Sequence, residues 1–172
     1  MAQSDTHAER ITELDDLLRT ENLSEVFITP TDDGFYGWYA RALSTLAVLT
    51  VGEQLQYASA RADDAGTAQM VVFTNLRFVV VDVKDVTSHH ERPVARTVPR
   101  SALRGIAVAA GMRHDVKGSA SAGWPGELEL ELTFDGLTAP IAIRGNSYDR
   151  FTEDHVASIW KLLDLLRSDL SS

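Results

Sequence analysis

The sequence contains no cysteine, which excludes disulfide bonds and thiolate chemistry. It also lacks a long hydrophobic run, since the longest, Thr45–Val51, is too short to cross a bilayer. The segment Met1–Thr20 has neither the basic start nor the apolar stretch of a secretory signal peptide. With 44% hydrophobic and 24% charged residues, the 172-residue chain has the composition of an ordinary soluble domain. We therefore expect a cytoplasmic protein with a single hydrophobic core.

Positive charge is scarce, with 16 Lys and Arg against 25 Asp and Glu and a net charge of −9. This balance argues against a nucleic-acid partner, because neutralising phosphates requires clustered Lys and Arg. The charge is also unevenly placed. Residues 1–35 hold nine acids against two arginines, whereas residues 84–117 hold seven basic residues against three acids. These two segments could dock within one chain or between copies, which would give a salt-sensitive homo-oligomer.

Two helices are predicted before the first strand. Ile11, Leu14, Leu17 and Leu18 recur at helical spacing and predict an amphipathic helix from about Asp5 to Thr20. Its apolar stripe either packs on its own domain or binds a partner, and as an interface it would use Ile11, Leu14 and Leu18. A second helix is predicted over 36–50. Its aromatic residues fall at helical spacing, which favours a place in the core over a stacking platform.

From residue 53 the hydrophobic period changes to that of strands. Seven β-rich segments follow one another without intervening helices, which excludes a parallel doubly wound sheet and favours an antiparallel sandwich or partly open barrel. We predict an acidic leader over 1–35 and a domain over 36–172. The predicted strands span 53–144, and the closing amphipathic helix spans 149–170. The predicted strands are 54–62, 69–74, 77–83, 94–98, 103–112, 127–134 and 138–144.

Three short motifs accompany this order of elements. They are Val51-Gly52-Glu53-Gln54, the run Val71–Val81 with Thr74-Asn75-Leu76-Arg77 at its centre, and Val98–Ile106. Together with the element order they resemble bacterial pleckstrin-homology-like (PH-like) and GRAM-like domains over about Val51–Leu170. The resemblance implies a mainly β fold with flanking helices. We expect a seven-stranded antiparallel, partly open barrel capped by a C-terminal helix and preceded by two N-terminal helices.

The segment Thr74–Arg77 predicts a tight hairpin, because Asn75 tolerates a positive φ and the flanking runs are β-branched. Arg77 begins the next predicted strand. We interpret its side chain as fixing this turn through hydrogen bonds to carbonyl groups, rather than as holding a ligand.

A ligand site is expected only at the mouth of the barrel. In lipid-binding eukaryotic relatives the loop after the first strand is basic and holds phosphates, but here it carries Asp63 and Asp64. The resemblance therefore implies the fold without the phosphoinositide site. The remaining candidates to meet a small anionic ligand or a lipid headgroup are Arg61, His89, His90 and Arg92. An ordinary solvated loop is the alternative.

No arrangement of residues in the sequence predicts catalysis, a bound metal or a cofactor. Adjacent residues of an extended segment point to opposite sides, so His89 and His90 are not placed to share a metal. The Gly/Ser-rich segment Gly118–Gly126 has no nucleophile elbow, but its Trp124 is a candidate interface anchor. We therefore predict a non-enzymatic module that binds a protein partner or a second copy. Binding of an anionic ligand or lipid headgroup at the mouth is the alternative, and membrane association is not favoured.

Overall fold

A computed structural model of the chain divides it into two compact units, Met1–Pro99 and Arg100–Ser172. The structure describes residues 2–21, 37–62, 65–88, 90–111, 127–146 and 152–170. The predicted boundary between a leader and a domain at residue 35 lies outside these residues and stays a prediction. The run Val26-Phe27-Ile28 predicts a short strand or extended stretch, and it also lies outside the described residues.

The first unit consists of two helices followed by a four-stranded sheet. Its strands are antiparallel and are hydrogen-bonded in the order β1-β2-β3-β4. The elements are α1 (Ala2–Glu21), α2 (Gly37–Thr50), β1 (Leu55–Ala62), β2 (Ala68–Thr74), β3 (Arg77–Val83) and β4 (Val94–Pro99).

One face of this sheet carries the core of the first unit. Small and β-branched residues of the strands meet the apolar stripes of both helices, and α1 packs against α2 and β1. Trp38 and Tyr39 lie inside this core with their rings edge to face, so the two aromatics are packing residues, as predicted. The Tyr39 hydroxyl donates to Asp15 Oδ1 at 2.8 Å, which satisfies the polar end of the ring. The principal core residues are Leu14, Leu18, Trp38, Tyr39, Leu46, Met70, Val72, Val79 and Val81.

The second unit consists of a three-stranded antiparallel sheet and a helix. A short 3-10 turn, Arg100–Ala102, leads into β5 (Leu103–Gly111), which is followed by β6 (Glu127–Phe134), β7 (Ile141–Asn146) and α3 (Thr152–Leu170). The sheet order is β5-β6-β7, and α3 contacts all three strands.

The sequence of β6, Glu-Leu-Glu-Leu-Glu-Leu-Thr-Phe, alternates polar and apolar residues and predicts one buried face, which the structure shows. Its four apolar residues are buried, whereas Glu129 is half-buried and Glu131 is exposed. Because successive side chains of a strand point to opposite faces, this pattern gives the sheet one apolar face. The buried residues are Leu128, Leu130, Leu132 and Phe134.

Two local predictions are corrected by the structure. Strand β7 begins at Ile141 and not at Thr138, because Pro140 has no N–H to donate to a ladder and so precedes the strand. Asn75 does not adopt a positive φ, since every described residue with a positive φ is a glycine. Its side chain acts instead, with Oδ1 accepting the Gln54 N–H at 2.9 Å.

The predicted fold class is confirmed. The described part of the chain holds two N-terminal helices, seven antiparallel strands and a C-terminal helix, in the predicted order. The strands form a sheet of four and a sheet of three, and not one closed hydrogen-bonded ladder.

Candidate functional site

The predicted mouth corresponds to one end of the four-stranded sheet, where two connections meet. The β1–β2 connection ends in Gly66, which has a φ of 81° that only glycine adopts readily. The Val86 N–H of the β3–β4 connection donates to the Gly66 carbonyl at 2.8 Å. We call this end of the first unit, with the described residues of 61–67 and 84–92, the loop end.

The β3–β4 connection is ordered by its own polar groups. Asp85 Oδ1 accepts the Thr87 N–H at 2.9 Å and the Thr87 hydroxyl at 2.6 Å. These bonds stabilise the charged carboxylate, and the bond from the Thr87 side chain is the main reason that the pKa of Asp85 lies below its ordinary value. The Ser88 N–H then donates to the Asp85 carbonyl, and the Glu91 N–H donates to the Ser88 carbonyl.

Glu91 connects this loop to its surroundings in two ways. Its carboxylate accepts the Lys84 N–H at 3.2 Å, which ties the two ends of the loop together. Its carbonyl accepts the Arg41 Nε–H at 2.8 Å, which ties the loop to α2. Arg41 was not singled out by the sequence, because a contact across 50 residues leaves no local pattern in the chain.

The structure places three of the four predicted ligand residues at the loop end. Arg61, His90 and Arg92 are all exposed, while His89 lies outside the described residues. No hydrogen bond or ion pair joins the described three to one another, and Arg61 and Arg92 have no ion-pair partner within the described part of the chain. Two guanidinium groups that have no ion-pair partner among the described residues therefore share this end with the carboxylates of Asp85 and Glu91. Their assignment to a ligand stays a prediction.

The motif residues around the β2–β3 hairpin form a second polar cluster, at the opposite end of the sheet. The Thr74 hydroxyl donates to Glu53 Oε2 at 2.5 Å and accepts the N–H groups of Leu76 at 3.1 Å and Arg77 at 3.0 Å. Glu53 Oε1 lies 2.5 Å from Arg77 Nη2. The Glu53 carbonyl also accepts a hydrogen bond from Arg10 of α1. We call Glu53, Thr74 and Arg77 the hairpin lock.

The hairpin lock explains why these residue types occur together. Glu53 and Thr74 are buried, so their polar atoms must be satisfied within the fold. Arg77 therefore has a role in the turn, as predicted, although its partner is the Glu53 carboxylate and not the carbonyl groups that we expected. Most polar groups of this motif are occupied by the fold itself, and the exception is Arg77 Nε, which is buried without a hydrogen-bond partner.

The residues predicted for an interface have different surroundings. Leu14 and Leu18 are fully buried in the core of the first unit, and Ile11 is partly buried against it. This agrees with the alternative that the first helix packs on its own domain, and a partner would have to displace α1 to reach them. Trp124 lies outside the described residues. The interface assignment of all four residues stays a prediction.

No helix among the described residues is long and apolar enough to cross a membrane. No group of three or more His, Asp or Glu side chains in this part of the chain is placed to hold a metal ion.

Two solved structures resemble this chain. One is a DUF1696 family protein with a pleckstrin-homology domain from Shewanella loihica, with 18% identity and a TM-score of 0.45 over 77% of this chain and 92% of that chain. The other is a pleckstrin homology domain from Shewanella amazonensis, with 20% identity and a TM-score of 0.42 over 80% of this chain and 99% of that chain. No protein-family model matches the chain, and no curated protein matches it.

Both neighbours are described by a pleckstrin-homology domain. The described elements of this chain follow the order that the resemblance to bacterial PH-like domains predicts. A fold does not by itself establish a function, so the function has to be argued from the surfaces of this chain.

Proposed function

We propose that this protein is a non-enzymatic PH-like interaction module that binds a protein partner or a second copy through its surface. The observation that carries the proposal is the contrast between its polar motif and its exposed apolar residues. The hairpin lock uses most of its polar groups inside the fold, whereas several large apolar side chains lie in solvent. These exposed residues are Val48, Leu76, Val94, Val108 and Leu170.

Exposed apolar side chains are a source of binding energy. Burying apolar surface contributes about 25 cal/mol per Å², so a contact that covers a few such residues and their neighbours supports association. Singly exposed apolar residues are common on protein surfaces and need no explanation. Val108 differs because Ala107 and Ala109 beside it are exposed as well, which makes a continuous uncharged stretch on one strand.

The loop end supports a charged ligand less well. Arg61, Lys84 and Arg92 are exposed there, but Asp85 and Glu91 lie among them and the sequence adds Asp63 and Asp64. An anionic group that approaches this end meets charges of both signs, so the attraction that a cluster of basic residues would supply is largely cancelled.

The proposal is tested by measuring the molar mass of the full-length chain over a range of concentrations by light scattering, at about 0.05 M and about 1 M NaCl. We expect a mass above 18.9 kDa that increases with concentration. An apolar contact would persist in the higher salt, whereas contact between the acidic segment 1–35 and the basic segment 84–117 would be lost. A monomer under every condition would refute self-association and leave only a separate protein partner.

The second candidate function is binding of an anionic ligand at the loop end. It is favoured by one observation, namely that Arg61 and Arg92 are exposed at the same end of the sheet without ion-pair partners among the described residues. Vesicles with and without anionic lipid, and inorganic phosphate in solution, distinguish a headgroup from a free anion. Binding should fall in Arg92→Ala and persist in Arg167→Ala, which removes an exposed arginine from α3. The absence of binding at low salt would exclude this function.

A further inference from the structure

The apolar face of the three-stranded sheet continues into solvent at strand β5. Val108, Leu130 and Ile143 lie side by side across β5, β6 and β7. Leu130 is 0% exposed and Ile143 is 2% exposed, but Val108 is 47% exposed. The next row shows the same trend, since Ile106 is only half-buried whereas Leu132 and Ile141 are buried. The row of core residues is therefore incomplete at the β5 side of the sheet.

Strand β5 is also an edge, and after Arg104 at its start it lacks the usual protection. Among the described strands it is hydrogen-bonded to β6 alone. Natural edge strands are commonly protected from pairing by charged residues or proline. The segment Gly105–Gly111 has neither.

The other three edge strands have shorter runs without a charge or a proline. In β1 this run is Leu55–Ala60, before Arg61. Strand β4 carries Arg96 and ends at Pro99, and β7 begins directly after Pro140 and carries Arg144. Strand β5 therefore offers the longest unprotected edge to another strand.

We propose that β5 pairs with β5 of a second copy, antiparallel, about a two-fold axis at Ala107. This register places Ile106 opposite Val108 of the second copy and Val108 opposite its Ile106. A two-fold axis perpendicular to the sheet keeps the apolar face on the same side in both copies, so the two β-branched pairs continue the core rows across the junction. The opposite face brings together only Gly105, Ala107 and Ala109, which are too small to clash.

The sequence around Ala107 suits a second copy as the occupant. Two copies of a chain with a net charge of −9 repel each other, so a symmetric contact is favoured where no charge faces a charge. In the proposed register the uncharged residues around Ala107 face one another, and the one charged residue of β5, Arg104, lies opposite Ala110. This inference rests on the proposed self-association and assigns it to one surface.

The first test compares two valine-to-lysine variants of the full-length chain. Val108→Lys places a charge on the proposed contact, and Val94→Lys places the same charge on a similarly exposed valine of the β4 edge. For the wild type and Val94→Lys we expect twice the chain mass of 18.9 kDa at high concentration. In Val108→Lys the dissociation constant should rise at least about tenfold. Circular dichroism checks that both variants are folded.

The second test uses the absence of cysteine from the chain. In the proposed register Ala107 faces Ala107 of the second copy, and directly opposed residues of antiparallel strands have Cα atoms about 4.5–5.5 Å apart, which suits a disulfide. Under mild oxidation Ala107→Cys should form a covalent dimer much faster than Val94→Cys. This result does not depend on the folding of Val108→Lys.

The outcomes separate this inference from the broader proposal. A dimer that persists in Val108→Lys, or cross-linking in Ala107→Cys no faster than in Val94→Cys, would overturn the β5 contact while self-association stands. A wild-type chain that stays monomeric at every concentration would overturn both. A dimer that is lost only in Val108→Lys and cross-links only in Ala107→Cys would establish the contact.

Discussion

Replacing Thr74 by valine tests the physical account of the hairpin lock. The Thr74 hydroxyl is buried, donates to the Glu53 carboxylate at 2.5 Å and accepts two backbone N–H groups. Valine has nearly the same shape and favours strands, so Thr74→Val removes the polar atom without creating a large cavity. The variant therefore isolates the contribution of the hydrogen bonds.

The expected loss of stability follows from the groups that are left without partners. A buried polar group without a partner costs about 1–3 kcal/mol. Leu76 is exposed, so its N–H reaches water, and the cost falls mainly on the Arg77 N–H and on Glu53, whose side chain is only 7% exposed. We expect Thr74→Val to lower the free energy of unfolding by about 2–4 kcal/mol. For a domain of this size that corresponds to a decrease in Tm of about 5–12 °C.

The measurement is urea unfolding followed by tryptophan fluorescence and circular dichroism, with Thr74→Ser as the matched control. Serine keeps the hydroxyl and loses one methyl group, which should cost only about 1 kcal/mol. If the two variants were equally stable, or if Thr74→Val were as stable as the wild type, the hydrogen bonds of the lock would not stabilise the hairpin as argued.

Three further predictions concern other parts of the fold. Leu14→Ala should lower the free energy of unfolding by about 2–4 kcal/mol in urea titrations, because Leu14 is fully buried in the first unit; a loss under about 0.5 kcal/mol would show that α1 is not docked. Thr87→Ala should raise the pKa of Asp85 towards its ordinary value in an NMR titration, because the main bond that lowers it is removed. Because folding lowers the pKa of Asp85, its charged carboxylate stabilises the folded state above the unfolded pKa, and this stabilisation is lost as pH falls through the folded pKa. An unchanged pKa in Thr87→Ala, or a stability that changes with pH in the opposite direction, would contradict the account. Arg100→Ala should lower the Tm of the chain by a few degrees in thermal melts. The Arg100 guanidinium donates two hydrogen bonds of 2.7 and 2.8 Å to the carboxylate of Asp169 in α3, and both side chains are mostly buried. An unchanged Tm would contradict this prediction.

Local patterns in the sequence predicted the elements of this fold well. The alternation of Glu127–Phe134 fixes which face of β6 is buried, because a strand has a period of two residues. The spacing of Leu14 and Leu18 predicts the buried stripe of α1 in the same way. The predicted strand 138–144 includes Pro140, whereas β7 begins at Ile141, because a proline has no N–H to donate to the ladder.

Contacts between distant segments were beyond the reach of these patterns. The pairing of Glu53 with Thr74 joins residues 21 positions apart, and the bond from Arg41 to Glu91 joins residues 50 positions apart. The hydrophobic periodicity of a helix or strand carries no information about contacts between residues so far apart in the sequence. The exposure of Val108 could not be predicted either, because the apolar run Ala107–Ala109 resembles that of a buried strand. The structure places β5 at the edge of its sheet, where Val108 is exposed.

Hydrogen–deuterium exchange of the unmodified full-length chain at low and high concentration tests most directly whether the protein binds through its surface. If copies associate through β5, amides of Gly105–Gly111 should exchange more slowly as the concentration increases, while amides of the β4 edge, Val94–Pro99, should exchange at an unchanged rate. Equal exchange of the β5 amides at all concentrations would contradict the account, and slowing confined to another segment would assign the contact elsewhere.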